Sequence, residues 1–247
     1  MWASNGRAEC MGSDVQTNNG PLMDKSAIRD AATLIVLRNR HATPSVLMGQ
    51  RGKSAAFMPG KFVFPGGAVD PNDASVPVTP LNPMDQTRLA GESALSPEAL
   101  AAAAIRELWE ETGQILGQPR AWAEAPQGWR GFAATGHIPH AGALRFFFRA
   151  VTPQGRPRRF DARFFLADAD ALVTDPDNFD HAEDELAHLQ WVPLTEARQF
   201  PLPFITQVVL AELIRHIKDD TDITSVPFFR NDDEAHLVSR LGGGPVL

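Results

Sequence analysis

Arg106-Glu107-Leu108-Trp109-Glu110-Glu111-Thr112-Gly113 places three carboxylates and one guanidinium within about a turn and a half of helix. On a helix, Glu107, Glu110 and Glu111 stand at i, i+3 and i+4 and project from one face. Like charges so arranged repel by about a few tenths of a kcal/mol per pair. A hard divalent cation such as Mg²⁺ or Mn²⁺, which prefers carboxylate oxygens, would turn that repulsion into a binding site. Arg106, four residues before Glu110, is placed to hold that carboxylate through a charge-assisted bond. The alternative is a solvated acidic helix face, and the octapeptide alone leaves both open.

The residues around it supply the helix. Ser96-Pro97-Glu98 gives a capping hydroxyl, a proline at the first helical position and an acid in the first turn. The alanine-rich run from Ala99 to Ala104 has high helix propensity, and Gly113 is a natural stop. Upstream, Phe64-Pro65-Gly66-Gly67-Ala68-Val69-Asp70-Pro71-Asn72-Asp73 reads as a strand end, a glycine pair and an acidic loop. Paired glycines allow close backbone approach to a metal or phosphate, and positive φ.

Together the two segments resemble the Nudix box, G-x5-E-x7-R-E-U-x-E-E-x-G-U, where U is bulky and aliphatic. Gly67, Arg106, Glu107, Glu110, Glu111 and Gly113 match it. Three positions depart. Asp73 stands where the first glutamate belongs, Gln114 replaces the final aliphatic residue, and 32 residues separate Asp73 from Arg106 instead of seven, an insertion of 25. A box split at that point resembles the branch of Nudix hydrolases that includes the mammalian peroxisomal coenzyme A diphosphatase. The resemblance implies a Nudix-type α/β/α sandwich with a mixed β-sheet and cleavage of a diphosphate joined to another group. It also implies Mg²⁺ or Mn²⁺ held by Glu107, Glu110 and Glu111, with a backbone carbonyl near Gly66 or Gly67 completing the set. Arg106 orients these ligands. A general base often comes from a loop outside the box; Glu185, in Glu183-Asp184-Glu185 ahead of the Trp191 strand, is the candidate, with Glu107 as rival.

Coenzyme A-cleaving relatives often carry L-L-T-x-R-[SA]-x3-R-x3-G-x3-F-P-G-G. Leu47, Arg51, Gly60 and Phe64 to Gly67 fit it, whereas Gly49, Gly52 and Ala56 do not. The best single substrate that this resemblance implies is coenzyme A or an acyl-CoA. Alternatives are ADP-ribose or nucleotide-sugar cleavage, a non-catalytic nucleotide-sensing module (made less attractive by the intact glutamates), and an isomerase. Arg51 and Arg159 are candidate substrate contacts. Arg159 belongs to a cluster with Arg156, Arg158 and Arg163, which could grip phosphate or form the wet face of a strand.

At 247 residues with 43% apolar content, the chain can bury one good core. A net charge of −7 argues against nonspecific nucleic-acid binding, and no apolar run approaches a membrane span. The lone Cys10 excludes an internal disulfide framework, and the cytoplasm is the default compartment. Seven histidines show no zinc spacing.

Residues 1–28 read as a disordered leader, 29–218 as the Nudix domain and 219–247 as a C-terminal extension that packs back or dimerises. The inserted stretch, 74–95, reads as a proline-rich loop, either a substrate-shaping lid or a tolerated insertion. Strands are expected at 31–37, 45–51, 62–64, 143–151, 160–167 and 189–194, and an amphipathic helix at 204–217. Trp109 and Trp191 are expected in the core.

Overall fold

The helix signal around Ser96 is realised in the computed structural model, which describes residues 27–53, 55, 58–230 and 238–241. The leader other than its last two positions, Cys10 and Ala56 lie outside the described residues. Ser96 Oγ accepts from the Ala99 amide at 3.1 Å, and Gly113 closes the helix at φ 73° with its amide on the Trp109 carbonyl at 2.8 Å. A side chain would be strained at that φ, so the stop depends on glycine.

The strands are β1 (Ile28–Arg38), β2 (Ser45–Arg51), β3 (Phe62–Val63) and β4 (Gly66–Ala68), followed by a 3-10 turn, Pro71–Ser75. Helices α1 (Pro83–Ala90) and α2 (Pro97–Thr112) come next. Then follow β5 (Gly117–Pro119), the short helix α3 (Arg130–Ala134), β6 (His137–Pro139), β7 (Arg145–Val151), β8 (Arg159–Asp168) and β9 (Leu186–Pro193). The last described elements are α4 (Phe204–Asp219), β10 (Val226–Phe229) and β11 (Val238–Leu241). The fold is α/β, a mixed sheet between helices, as expected.

β1 organises the site. One edge pairs in parallel with β8 over its whole length; the other pairs antiparallel with β4 at Ala31–Thr33 and with β2 at Leu37–Arg38. β4 and β2 therefore share one edge of β1, and the gap between them opens beside the acidic end of α2. β9 adds to β2, and β10 extends the far side by pairing in parallel with β7. α2 packs its alanine surface, Ala99 and Ala101 to Ala104 all buried, against this sheet. Small side chains let the helix approach closely, which fixes its carboxylates relative to β4. On α4, Val209 and Leu213 are buried while Ile205, Val208 and Ile217 are partly covered. The C-terminal extension packs back, through β10.

Two sequence expectations change. The glycine pair does not end a strand: Gly66 and Gly67 form β4 itself, and neither has positive φ. The inserted stretch is not a structureless loop. Asn82 caps α1 by accepting from the Met84 amide, with Pro83 at the first position, and eight residues are too few for a helical period to show in sequence. Asp85 is fully buried and accepts from Arg145 Nε at 3.0 Å and the Phe146 amide at 3.2 Å. Arg88 donates to the carbonyls of Ile223 and Thr224 at 3.0 and 2.6 Å, and Gln86 to Glu98 at 2.8 Å. Glu98 lies in the first turn of α2, roughly 14–20 Å along the helix from the glutamates at about 1.5 Å per residue. Within the insertion, α1 thus clamps the C-terminal segment at the opposite end of α2 from the acidic cluster.

Replacing residues 75–94 by a short Gly/Ser linker is accordingly expected to destabilise the protein. It removes buried Val76, Leu81 and Leu89 and leaves Arg145 without Asp85. At about 1.5–3 kcal/mol per apolar side chain, Tm should fall by on the order of 10 °C or more. A linker variant with wild-type Tm in a circular dichroism melt would show the segment to be dispensable.

Candidate active site

Arg106 is the hub. Its Nε and Nη2 donate to the two oxygens of Asp73 at 3.0 and 3.1 Å, and Nη2 also reaches the Ala68 carbonyl at 2.9 Å. Its Nη1 donates to Glu107 at 2.9 Å and to Glu110 at 2.8 Å. Burial disfavours the charge, but the bond to Asp73 and the fields of Glu107, Asp73 and Glu110 outweigh it and raise the pKa. The guanidinium therefore ties β4, the 3-10 turn and α2 into one unit. Asp73, 33 residues away in sequence, is fully covered and also accepts from Trp129 Nε1 at 2.9 Å and the Asp70 amide at 2.8 Å. With every contact used internally, Asp73 braces Arg106. Its shorter reach than glutamate is met by the capping turn Asp70–Asp73, which brings its backbone close.

The two glycines of β4 are required because α2 leaves no room at Gly67 and β1 leaves none at Gly66. A Cβ on Gly67 would lie 2.5 Å from the Glu107 carboxylate, and one on Gly66 2.7 Å from the Ala32 carbonyl. Close approach, not φ, is the requirement. Gly66 donates its amide to Glu111 Oε2 at 2.8 Å, while Glu111 Oε1 is buried without a hydrogen-bond partner among the described residues. Burial pushes Glu107 up to about 7 against the pull of Arg106, and raises Glu110. Glu111 is raised well above the usual carboxylate range by burial and then by neighbouring Glu107.

The acidic loop comes to the same place. The Glu183 amide donates to the Glu110 carbonyl at 2.8 Å, and Glu185 accepts from Arg51 Nη2 at 3.0 Å. Glu185 is close enough to raise Glu107 and Glu111 through its charge, and Arg51 to lower Glu111. Arg51 and Glu185 thus join the glutamates although they are distant in sequence.

Arg159 does not join them. It opens β8 beside Ile28, and its Nε donates to the Thr152 carbonyl at 3.1 Å across the β7–β8 hairpin. Arg156 and Arg158 are exposed in that hairpin, whereas Arg163 is buried, paired with Asp30 and Asp161, so the cluster is neither one grip nor one wet face. Trp109 packs edge-on against Phe132, and Trp191 lies under Arg38 at 4.4 Å with its Nε1 on the Pro176 carbonyl, both structural. Sequence reasoning missed Trp129, for which no local signal exists.

A carboxylate-only donor set with one buried, unpartnered oxygen suits a hard divalent cation, because such an oxygen is costly to bury uncompensated. Among the described residues, no three His, Cys, Asp or Glu side chains already close around one point. Arg106 draws Glu107 and Glu110 toward itself, and Mg²⁺ commonly keeps several waters instead of requiring a full protein cage. The residues fit such an ion, with Glu111 as its surest ligand.

This sheet, this helix and these glutamates define a class. The profile of the NUDIX domain matches residues 28–213, and the chain belongs to the Nudix family. It is 30% identical over 180 residues to putative nudix hydrolase 7 of Caenorhabditis elegans, a match covering 68% of this chain and 52% of that relative. The chain thus spans about half the length of that curated relative. Among solved structures it is similar to a NUDIX hydrolase from Alicyclobacillus acidocaldarius, with a TM-score of 0.59 and 30% identity over 77% of this chain and 92% of that one. Among the described residues, no helix is long and apolar enough to cross a membrane.

Proposed function

We propose that this chain is a metal-dependent hydrolase that cleaves the diphosphate linkage of a nucleoside diphosphate derivative, with coenzyme A or an acyl-CoA as its best substrate. The observation that carries the hydrolase reading is the buried, unpartnered Glu111 oxygen within a cluster that Arg106 orients. Glu107, Glu110 and Glu111 would hold Mg²⁺ or Mn²⁺, with the Gly67 backbone beside them; such an ion neutralises diphosphate oxygens and orients water. Arg106 fixes Glu107 and Glu110 before substrate arrives, so less order has to be imposed at the moment of reaction. Glu185 accepts the proton of the attacking water. Arg51, next to it, meets substrate phosphate, and substrate binding there competes with the Arg51–Glu185 pair and releases the base.

The coenzyme A assignment is supported by the position of the split in the box and by Leu47, Arg51, Gly60 and Phe64 to Gly67 in the second signature. One departure has a packing cause. Gly49 replaces threonine where β9 crosses β2 at an irregular register, and a Cβ there would lie 2.8 Å from Leu186 Cβ. A panel of coenzyme A, acyl-CoA, ADP-ribose, a nucleotide sugar and a dinucleoside polyphosphate, with Mg²⁺ or Mn²⁺ and products resolved by chromatography, tests the reading. The highest kcat/KM is expected for coenzyme A or an acyl-CoA. A preference for ADP-ribose would move the substrate class, and binding without cleavage would make the chain a sensing module.

The metal should also show in stability. Glu107 titrates at about 7 in the metal-free fold against 4.5 ordinarily, so the folded state binds the extra proton between those values. Its contribution to metal-free stability is full below about 4.5 and is lost as pH rises through about 7. Metal ligation needs the deprotonated carboxylate and should reverse that loss. The Tm gain on adding Mn²⁺ is therefore expected to be larger at pH 8 than at pH 5, and smaller in Glu107→Gln at pH 8. An equal gain at both pH values would contradict this.

A further inference from the structure

Gln114 occupies the place of the aliphatic residue that ends the Nudix box, and it is fully buried. A buried amide is costly unless its groups are satisfied. Here Nε2 donates to the carbonyls of Asp175 at 3.1 Å and Asn178 at 2.7 Å, and Oε1 accepts from the Thr174 hydroxyl. Thr174 Oγ1 in turn accepts from the Ile115 amide at 3.1 Å, and the Val173 amide donates to the Ile115 carbonyl at 2.8 Å. One side chain thus bonds the Asn178 carbonyl, the Asp175 carbonyl (which also accepts from the Asn178 amide at 3.1 Å) and the Thr174 hydroxyl at the start of the segment 174–185.

The end of that segment is held by the neighbouring turn of α2. The Glu183 amide bonds to the Glu110 carbonyl, and Gly113 lies so close that a Cβ would be 3.0 Å from His181. Between the two anchors, the Asp177 and Asp180 amides turn back on the side chains of Asp175 and Asn178, which stiffens the path. Glu185 follows two residues after the second anchor and reaches Arg51. An aliphatic residue at 114 could fill the volume but could hold none of these groups.

We propose that Gln114 is a positioning residue: its amide clamps the Thr174–Asn178 turn to the end of α2 and thereby sets where the acidic loop presents Glu185 to the metal carboxylates. The inference rests on the hydrolase reading in which Glu185 is the base. It makes this departure from the family pattern a functional feature of this chain, because Gln114, one of the residues that depart from the motif, bonds the start of the loop through its side chain.

The test is a double-mutant cycle of Gln114→Leu and Glu185→Gln on the full chain with Mn²⁺, using the best substrate of the panel, together with hydrogen exchange at the Glu183 amide. Gln114→Leu restores the aliphatic residue of the box, yet kcat is expected to fall at least tenfold with KM changed less than threefold. The double variant should be no slower than Glu185→Gln alone, and protection of the Glu183 amide should fall at least tenfold. Should Gln114→Leu fail to fold, Thr174→Val removes the same hydroxyl from the loop side and is expected to give the same pattern in milder form. Unchanged kcat, or losses that multiply in the double variant, would overturn the proposal, since a purely structural glutamine would act independently of Glu185. Full turnover of Glu185→Gln would overturn it together with the base assignment. Should the wild type cleave nothing in the panel, the hydrolase reading fails by itself; wild-type protection of Glu183 in Gln114→Leu would then overturn the clamp as well, and lost protection would uphold it.

Discussion

Glu111→Gln is expected to lower kcat/KM by at least about 100-fold while leaving Tm unchanged or slightly higher. Changes to groups that merely support metal ligands commonly cost about 10–100-fold, and Glu111 is proposed as a direct ligand. The fold should tolerate the change because an amide oxygen can still accept from Gly66, the one hydrogen bond Glu111 makes among the described residues. Its carboxylate is destabilised by burial and by Glu107, so removing the charge relieves the metal-free protein. Steady-state kinetics beside a thermal melt separate the two effects. Near-native turnover with unchanged metal dependence would refute the metal site.

Arg106→Ala has the opposite profile, with stability failing before catalysis can be examined. The guanidinium compensates Asp73, which has no solvent contact, and also Glu107, Glu110 and the Ala68 carbonyl. Removing one partner of a buried ion pair costs about 3–5 kcal/mol, because the other charge is left uncompensated. Added Mn²⁺ can take up Glu107 and Glu110 but not Asp73, which is enclosed by Trp129 and the Asp70 amide. Metal should therefore recover only part of the loss. Arg106→Lys should fare little better, since an ammonium cannot span Asp73 and the glutamates in one planar fork. Urea unfolding with and without Mn²⁺ measures this. A midpoint equal to wild type would remove Arg106 from its central role.

The contrast shows why the motif's arginine and its glutamates are different kinds of residue. The glutamates are bound to little else, which leaves their oxygens for a ligand. Arg106 is bound to Asp73, the Ala68 carbonyl, Glu107 and Glu110, which keeps the last two in place.

Much of this was legible in the residues themselves. Ser96, Pro97, the alanine run and Gly113 define α2 because caps, propensity and stops act within a few residues. The spacing of Glu107, Glu110 and Glu111 puts them on one face by helix geometry alone. Most strands were visible as short apolar runs for the same local reason. α1 was not, because eight residues with three buried side chains show no period, and its capping signal was hidden among prolines.

What tertiary structure decided is the set of contacts made across sequence distance. Asp73 meets Arg106 and Trp129, Glu185 meets Arg51, and Gln114 meets the 174–178 turn only because β4, α2 and β9 converge at the gap beside β1. Arg159 carries the same charge as Arg51 and looked equally eligible, yet its strand delivers it to a hairpin. Local chemistry determines which side chains can serve, and the pairing of strands, set by burial of whole faces, determines which of them meet.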